Sequence, residues 1–138
     1  PGYPLEAALM GLRDRFRRLP HNRARGAEAE RLAVSWLRRR GYRVVGTNVT
    51  NGGGEIDVVA RDGDTLCFIE IKARTSDRFG PAILAVDADK RRRLARAASA
   101  YLAARPWDGP CRFDVLGMDL VDGELEYTLL EDAFRVGE

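Results

Sequence analysis

Histidine is nearly absent from this chain, and lysine almost as scarce. Among 138 residues stand one histidine, His21, and two cysteines, Cys67 and Cys111. A His-based zinc site needs more than one imidazole, and Cys67 and Cys111 lack the close spacing of a metal-binding pair. A Ser–His triad would have to rest on a histidine in the polar stretch Pro20–Arg25, which reads as a linker. Zinc and triad chemistries are therefore set aside. One cysteine pair in a chain this size reads most simply as two free thiols in a reducing cytoplasm. No run of about 18 apolar residues could cross a bilayer. Residues 1–20 carry charges throughout, so no signal peptide is visible and a cytoplasmic protein is expected. Internal repeats, low-complexity segments, and the P-loop and Rossmann glycine patterns are missing as well.

The shortage of lysine is informative in itself. Of 23 basic residues, 21 are Arg, and only Lys72 and Lys90 are Lys. A chain that writes nearly every positive charge as Arg has drifted there through coding bias. Its two lysines are then candidates for positions that need a compact, rotatable ammonium rather than a planar fork.

Net charge is only +2, but it is unevenly spread. Residues 1–50 hold eleven Arg against four acids, whereas residues 106–138 hold two Arg against nine acids. The segment "KRRRLAR", Lys90–Arg96, adds a basic run. Such asymmetry fits an anionic partner on one side, nucleic acid or a membrane surface, and equally fits solvated Arg-rich helix faces.

At this length a single domain with a genuine core is expected. Residues 5–19, "LEAALMGLRDRFRRL", place Leu5, Ala8, Leu9, Leu12, Phe16 and Leu19 on one helical stripe. Pro20 ends that pattern, so residues 1–22 read as an amphipathic arm ahead of a domain over 23–138. A second helix from about Ala24 to Arg40 carries Ala29, Leu32, Ala33, Trp36 and Leu37 on its apolar face and stops at Gly41. "YRVVGTNV" reads as a strand and "NGGG" as a turn. "EIDVVAR", "DGD" and "TLCFIEIKA" form a strand, a tight turn and a second strand. A helix over about Asp87–Arg105 presents Leu94, Ala97, Ala98, Tyr101 and Leu102. "CRFDVLGMDLV" and "ELEYTLLEDAF" complete a hairpin around Asp122–Gly123.

One stretch breaks the pattern of a buried strand. In "CFIEIKART" the acid Glu70 and the base Lys72 interrupt an apolar run two residues apart, on one face. An ionised group taken out of water is costly unless it is paired or holds a metal. An even-numbered hairpin loop pairs residues whose numbers sum to an odd value. Ile56, Val58 and Ala60 then share an apolar face with Cys67, Ile69 and Ile71. The other face carries Glu55, Asp57 and Val59 opposite Leu66, Phe68, Glu70 and Lys72. Asp57 and Glu70 fall within reach of one cation between them, and two carboxylates at that range repel unless something positive sits there. Lys72 supplies one charge. Oxygen-only ligands suit Mg2+ or Mn2+, and this set suits the hydrolysis of a phosphodiester.

The arrangement Asp57 … Glu70-Ile71-Lys72 resembles the D…(D/E)xK motif of the restriction-endonuclease-like nucleases. A longer string is more specific: "GAEAERLAVSWLRRRGYRVVGTNV", "GEIDVVARDGDTLCFIEIKARTSDRFG", Lys90 in a helix, and "RFDV". Across about residues 24–120 this is similar to the YraN-like family of bacterial proteins, which resembles the archaeal-type Holliday junction resolvases. The resemblance implies an α/β fold of the restriction-endonuclease-like kind, a mixed sheet flanked by helices, with the N-terminal amphipathic helix as an addition. It implies Asp57, Glu70 and the main-chain carbonyl of Ile71 as metal ligands, Lys72 as the catalytic lysine, and Glu30 reaching the same site. Arg74, Phe79 and Gly80 match a loop beside that site, and Lys90 a further polar helix position.

Bland alternatives stand beside these. Glu70 and Lys72 can form a salt bridge at a sheet edge, Lys90 can belong to the basic face with Arg91, Arg92 and Arg93, and Glu30 can be a surface residue. The expectation is a Mg2+- or Mn2+-dependent DNA endonuclease, with the basic helix contacting the phosphate backbone. The alternative is a nuclease-fold protein that binds nucleic acid with a partner and does not cut. A membrane-surface adaptor is disfavoured by the short stripe of the arm, interrupted at Gly11. That stripe needs a cover, which a homodimer would supply.

Overall fold

The computed structural model describes residues 23–51, 53–74 and 87–134. The N-terminal stripe, the dimer expected from it, Phe79 and Gly80 lie outside them. Helix α1 spans Arg23–Arg39, so the expected linker at 20–25 is already helical by Arg23. Strands β1 (Arg43–Asn51), β2 (Gly54–Asp62) and β3 (Thr65–Arg74) follow. Then come helix α2 (Ala88–Ala104) and strands β4 (Cys111–Val121) and β5 (Glu124–Phe134). The five strands lie side by side in chain order. Only the β3–β4 pair is parallel, because only there does a helix intervene to carry the chain back across the sheet. The expected mixed α/β sheet flanked by helices is what forms.

The turns follow from local chemistry. Helix α1 ends where Gly41 takes φ of 92°. The Gly41 N–H donates to the Arg38 carbonyl and the Tyr42 N–H to the Leu37 carbonyl, which is the Schellman closure. Leu37 and Tyr42, the residues that flank this closure, pack in one cluster. The β4–β5 hairpin closes through two residues, Asp122 and Gly123, with φ of 49° and 80°. Positive φ at both positions is the turn whose twist matches its strands.

Both faces of the sheet are covered. Ala29, Ala33 and Leu37 of α1 pack on Val58, Ala60, Cys67, Ile69, Leu116 and Met118. On the other face Leu94, Ala97, Ala98 and Tyr101 of α2 pack on Ile56, Val59, Leu66, Phe68 and Phe113. Phe68 sits between the rings of Tyr101 and Phe113. Its truncation to Ala would cost about 3–5 kcal/mol.

One residue departs from the alternation expected of the hairpin. Ile56 joins Val59 and Phe68 under α2 rather than Val58 and Ala60. The strand turns over at Asp57. Ladder pairing of β2 with β3 ends at Val58↔Ile69, and on the β1 side Asn48, between the Thr47↔Val58 and Val49↔Ile56 pairs, has φ of 50°. A strand freed from one neighbour and kinked against the other cannot keep its period. That opening is where the site lies.

Candidate metal and nucleic-acid site

Past the Val58↔Ile69 pair, the Asp57 side chain takes the place of the missing ladder. The Ile71 N–H donates to Asp57 Oδ2 at 2.8 Å. This bond satisfies a strand N–H that would otherwise be orphaned and holds the Asp57 carboxyl beside β3. Glu70 precedes Ile71 and turns toward α2, where it is only 3 % exposed. Alternation along β3 sends Phe68, Glu70 and Lys72 to this same face.

Helix α2 supplies the remaining member. Asp87 caps its N-terminus, accepting a hydrogen bond from the Lys90 N–H at 2.9 Å. The cap sets the phase of the helix. Lys90 then falls four residues before Leu94 and seven before Ala97, on the stripe that faces the sheet. Its ammonium lies 3.1 Å from Glu70 Oε1, while the Lys72 ammonium lies 4.0 Å from the same oxygen. The two lysines of the chain thus converge on one carboxylate. Of the two readings of Lys90, the one that grouped it with the outward basic face gives way. Arg91, Arg92 and Arg93 do point outward, with Arg92 paired to Asp89.

Hydrogen bonding in this corner is incomplete. Glu70 Oε2 is buried without a hydrogen-bond partner. Burial, reinforced by the Asp57 charge, pushes the Glu70 carboxyl up to about 7 against the pull of Lys90. A buried carboxylate oxygen with nothing bonded to it is unfinished. Beside it stands the second carboxylate, Asp57, and a pair of carboxylates completed by water is a hard oxygen donor set of the kind that suits Mg2+ or Mn2+. The residues present therefore fit such an ion. No three His, Cys, Asp or Glu residues gather around one point among the described residues, so a cation here would lean on two carboxylates and water.

Other residues singled out in the sequence lie elsewhere. Glu30 is on α1, over the opposite face, where it lines a shallow depression with Arg31, Val34, Arg38 and Thr47. Among the described residues no hydrogen bond or ion pair joins it to Asp57, Glu70 or Lys72. Arg74 is the last residue of β3. Glu55 is exposed. The glycine turn is more than a connector: a Cβ on Gly54 would lie 2.5 Å from the Arg93 carbonyl oxygen. Only glycine lets this turn sit against α2, forming a depression of about 280 Å3 beside Lys90.

A second polar cluster, of which the sequence shows only a local pairing of Asp114, occupies the face under α1. Asp114 is 1 % exposed. Both its oxygens accept from Arg112 Nε at 3.0 Å, and its Oδ1 accepts from the Asp132 N–H. Arg112 also donates to Asp62 and to the Tyr42 hydroxyl, which donates to Glu131. The one signal in the sequence was the "RFDV" string, which puts Arg112 and Asp114 on the same face of one strand.

The family model described as "Uncharacterised protein family UPF0102" matches residues 29–118. The chain belongs to the UPF0102 family. A UPF0102 protein of Geobacter metallireducens is 46% identical over 117 residues, 84% of this chain and 96% of that relative. One from Symbiobacterium thermophilum is 44% identical over 112 residues, 80% of this chain and 95% of its own length. A Pseudomonas aeruginosa relative is 43% identical over 105 residues, 75% and 84% of the two chains. The UPF0102 match spans Asp57, Glu70, Lys72, Lys90, Arg112 and Asp114 alike. It bears out the YraN-like resemblance of the motif string.

Proposed function

We propose that this UPF0102 protein is a metal-dependent nuclease that hydrolyses phosphodiester bonds in DNA, on a fold of the restriction-endonuclease-like kind. The observation that carries the reading is the unpartnered, buried Oε2 of Glu70, set beside Asp57 and two lysines. Asp57, Glu70 and the Ile71 carbonyl would hold Mg2+ or Mn2+, which when bound supplies a Lewis acid and lowers the pKa of a coordinated water. The chain's own groups do the rest. Asp57 is oriented by the Ile71 N–H. Lys72, partly exposed, presents an ammonium to the phosphate and offsets the negative charge that grows there during attack. Arg91 and Arg93, outward-facing on α2, and Arg74 at the end of β3 bring the phosphate backbone to this edge, with little reading of base sequence.

The test is a cleavage screen over branched, nicked and single-stranded DNA with Mg2+ or Mn2+, wild type against Glu70→Gln, with EDTA controls. Metal-dependent cutting by wild type alone supports the reading. Equal residual cutting by both proteins would assign the activity to contamination and reject it. A second reading, a nucleic-acid-binding protein that acts with a partner and cuts weakly or not at all, draws on the two-carboxylate count among the described residues. Metal-independent binding without cleavage on every substrate would favour it.

A further inference from the structure

Lys90 is more than another basic residue near a nuclease site. Its ammonium pairs with Glu70 Oε1 at 3.1 Å, closer than Lys72 at 4.0 Å, and so neutralises the carboxylate whose other oxygen is unpartnered. The Lys90 side chain is 28% exposed and that of Glu70 only 3%. An ammonium at the first turn of a helix faces the positive end of the helix dipole, which disfavours it. Something must compensate, and the Glu70 carboxylate is what it touches. Conversely, a buried carboxylate beside another acid needs a counter-charge. Each group answers the other's cost.

The same corner offers Lys90 a way out. The depression of about 280 Å3 beside it is lined by Thr50, Gly53, Gly54, Glu55 and Arg93. Glu55 is exposed and gives a displaced ammonium an alternative partner in solvent. Lysine is suited to such an exchange, since its stem is flexible and its head makes single, exchangeable contacts, whereas an arginine fork would lock on. In a chain that uses Arg for 21 of 23 basic residues, a lysine at this position answers a specific need.

We infer that Lys90 is a placeholder cation, which holds Glu70 in the metal-free protein and gives it up to a divalent ion. Lys90 is thus a positioning residue: it holds the Glu70 carboxyl aimed at the site before the metal arrives. The inference rests on the metal-dependent reading above. Because Lys90 already neutralises the carboxylate that an arriving ion would bind, metal binding in the wild type is weakened by about the strength of one charge-assisted hydrogen bond.

The measurement is Mn2+ and Mg2+ affinity of the full chain by calorimetry, with metal-induced thermal shift alongside, for wild type, Lys90→Met and Lys90→Gln. Both substitutions lie in a partly exposed first helical turn, and Lys90→Gln keeps a polar head should Lys90→Met fold poorly. The expected result is Mn2+ binding roughly tenfold tighter in both variants, from loss of the competing charge-assisted bond. The Tm rise on adding metal should also be larger than in wild type. Unchanged or weaker metal affinity in both variants would overturn the placeholder role while leaving a metal site. No metal binding by wild type or either variant would overturn the placeholder and the metal-dependent reading together. Metal binding without cleavage would leave the placeholder standing and remove only the nuclease.

Discussion

Two buried carboxylates, Glu70 and Asp114, sit on adjacent strands of one sheet and face opposite helices. They are equally removed from water, at 3% and 1% exposure, yet they are finished differently. Asp114 has every need met: Arg112 on both oxygens and the Asp132 N–H on one. Glu70 has Lys90 on one oxygen and nothing on the other. Burial raises both carboxyls above their ordinary range. The cluster around Asp114 joins the end of α1, the β2–β3 turn, β4 and β5 through Tyr42, Asp62, Arg112 and Glu131. It behaves as a tie. The Glu70 corner, where β2 leaves β3, is built to receive something. Satisfaction of hydrogen bonds, rather than burial or charge, separates the structural acid from the functional one.

The largest effect should come from exchanging charge for shape at the two acids. Glu70→Gln is expected to lower metal-dependent cleavage by roughly 10²–10³-fold or more, the scale of losing a main electrostatic contributor to catalysis. Its effect on Tm in EDTA should be small, because a buried acid is removed while Lys72 and Lys90 lose their partner. Asp114→Asn should do the reverse, costing stability with cleavage per folded molecule kept. If Asp114→Asn abolishes cutting at full stability, the division between the two clusters is wrong.

Next in size is outright removal of the structural acid. Asp114→Ala leaves Arg112 largely buried with half its partners gone. Breaking such a pair typically costs about 3–5 kcal/mol. Chemical denaturation in EDTA measures this. A loss under about 1 kcal/mol, the ordinary worth of an exposed pair, would show that the network is not a tie.

Much of the Glu70 corner was legible in the sequence. Odd-sum pairing in a two-residue hairpin placed Asp57 with Glu70 and Lys72, and the pairs Val58↔Ile69 and Val59↔Phe68 have that register. The lysine count flagged Lys90, and extending the stripe of Leu94, Ala97 and Tyr101 back by one turn would have put it on the sheet side. What escaped is what depends on distant segments. Ile56 changed faces because β2 parts from β3 and Asn48 kinks β1, neither of which periodicity encodes. Beyond the Arg112–Asp114 pair in "RFDV", the cluster draws on Tyr42, Asp62 and Glu131, separated from that pair by tens of residues except Glu131 on the neighbouring strand, so no local pattern announces the whole. Glu30 was assigned by resemblance, and the face on which its helix packs is decided by tertiary contacts.

A pH series distinguishes the two clusters at intermediate scale. The Glu70 carboxyl moves from an ordinary 4.5 to about 7 on folding. Between those values the folded chain holds a proton that the unfolded chain has released. The folded state then binds more protons, so stability falls as pH rises through this window and flattens above it. Glu70→Gln in EDTA should give a shallower profile over pH 5–7, because that proton is no longer taken up. Saturating Mn2+ should flatten the wild-type profile at its upper end, since a bound cation favours the ionised carboxylate. A wild-type curve with the same slope from pH 5 to 7 as the variant's would mean that burial does not govern this group.

The smallest effect concerns the two thiols, which report on the same contrast from outside. Cys67 lies against the Asp114 cluster, fully buried, and burial followed by the Asp114 charge pushes its thiol up to about 12. Cys111 begins β4 and is exposed. Since the thiolate is the reactive form, a maleimide at pH 8 should label Cys111 within minutes and leave Cys67 untouched until the sheet opens. Cys111→Ser should shift stability by no more than about 0.5 kcal/mol, as expected of a surface change. In that background Cys67 becomes a clean probe. Its labelling should track global unfolding in wild type and quicken in Asp114→Asn, whereas Glu70→Gln should leave it slow. Equal acceleration by both substitutions would show that the two faces of the sheet open as one, and that the satisfied cluster gives its own side no extra protection.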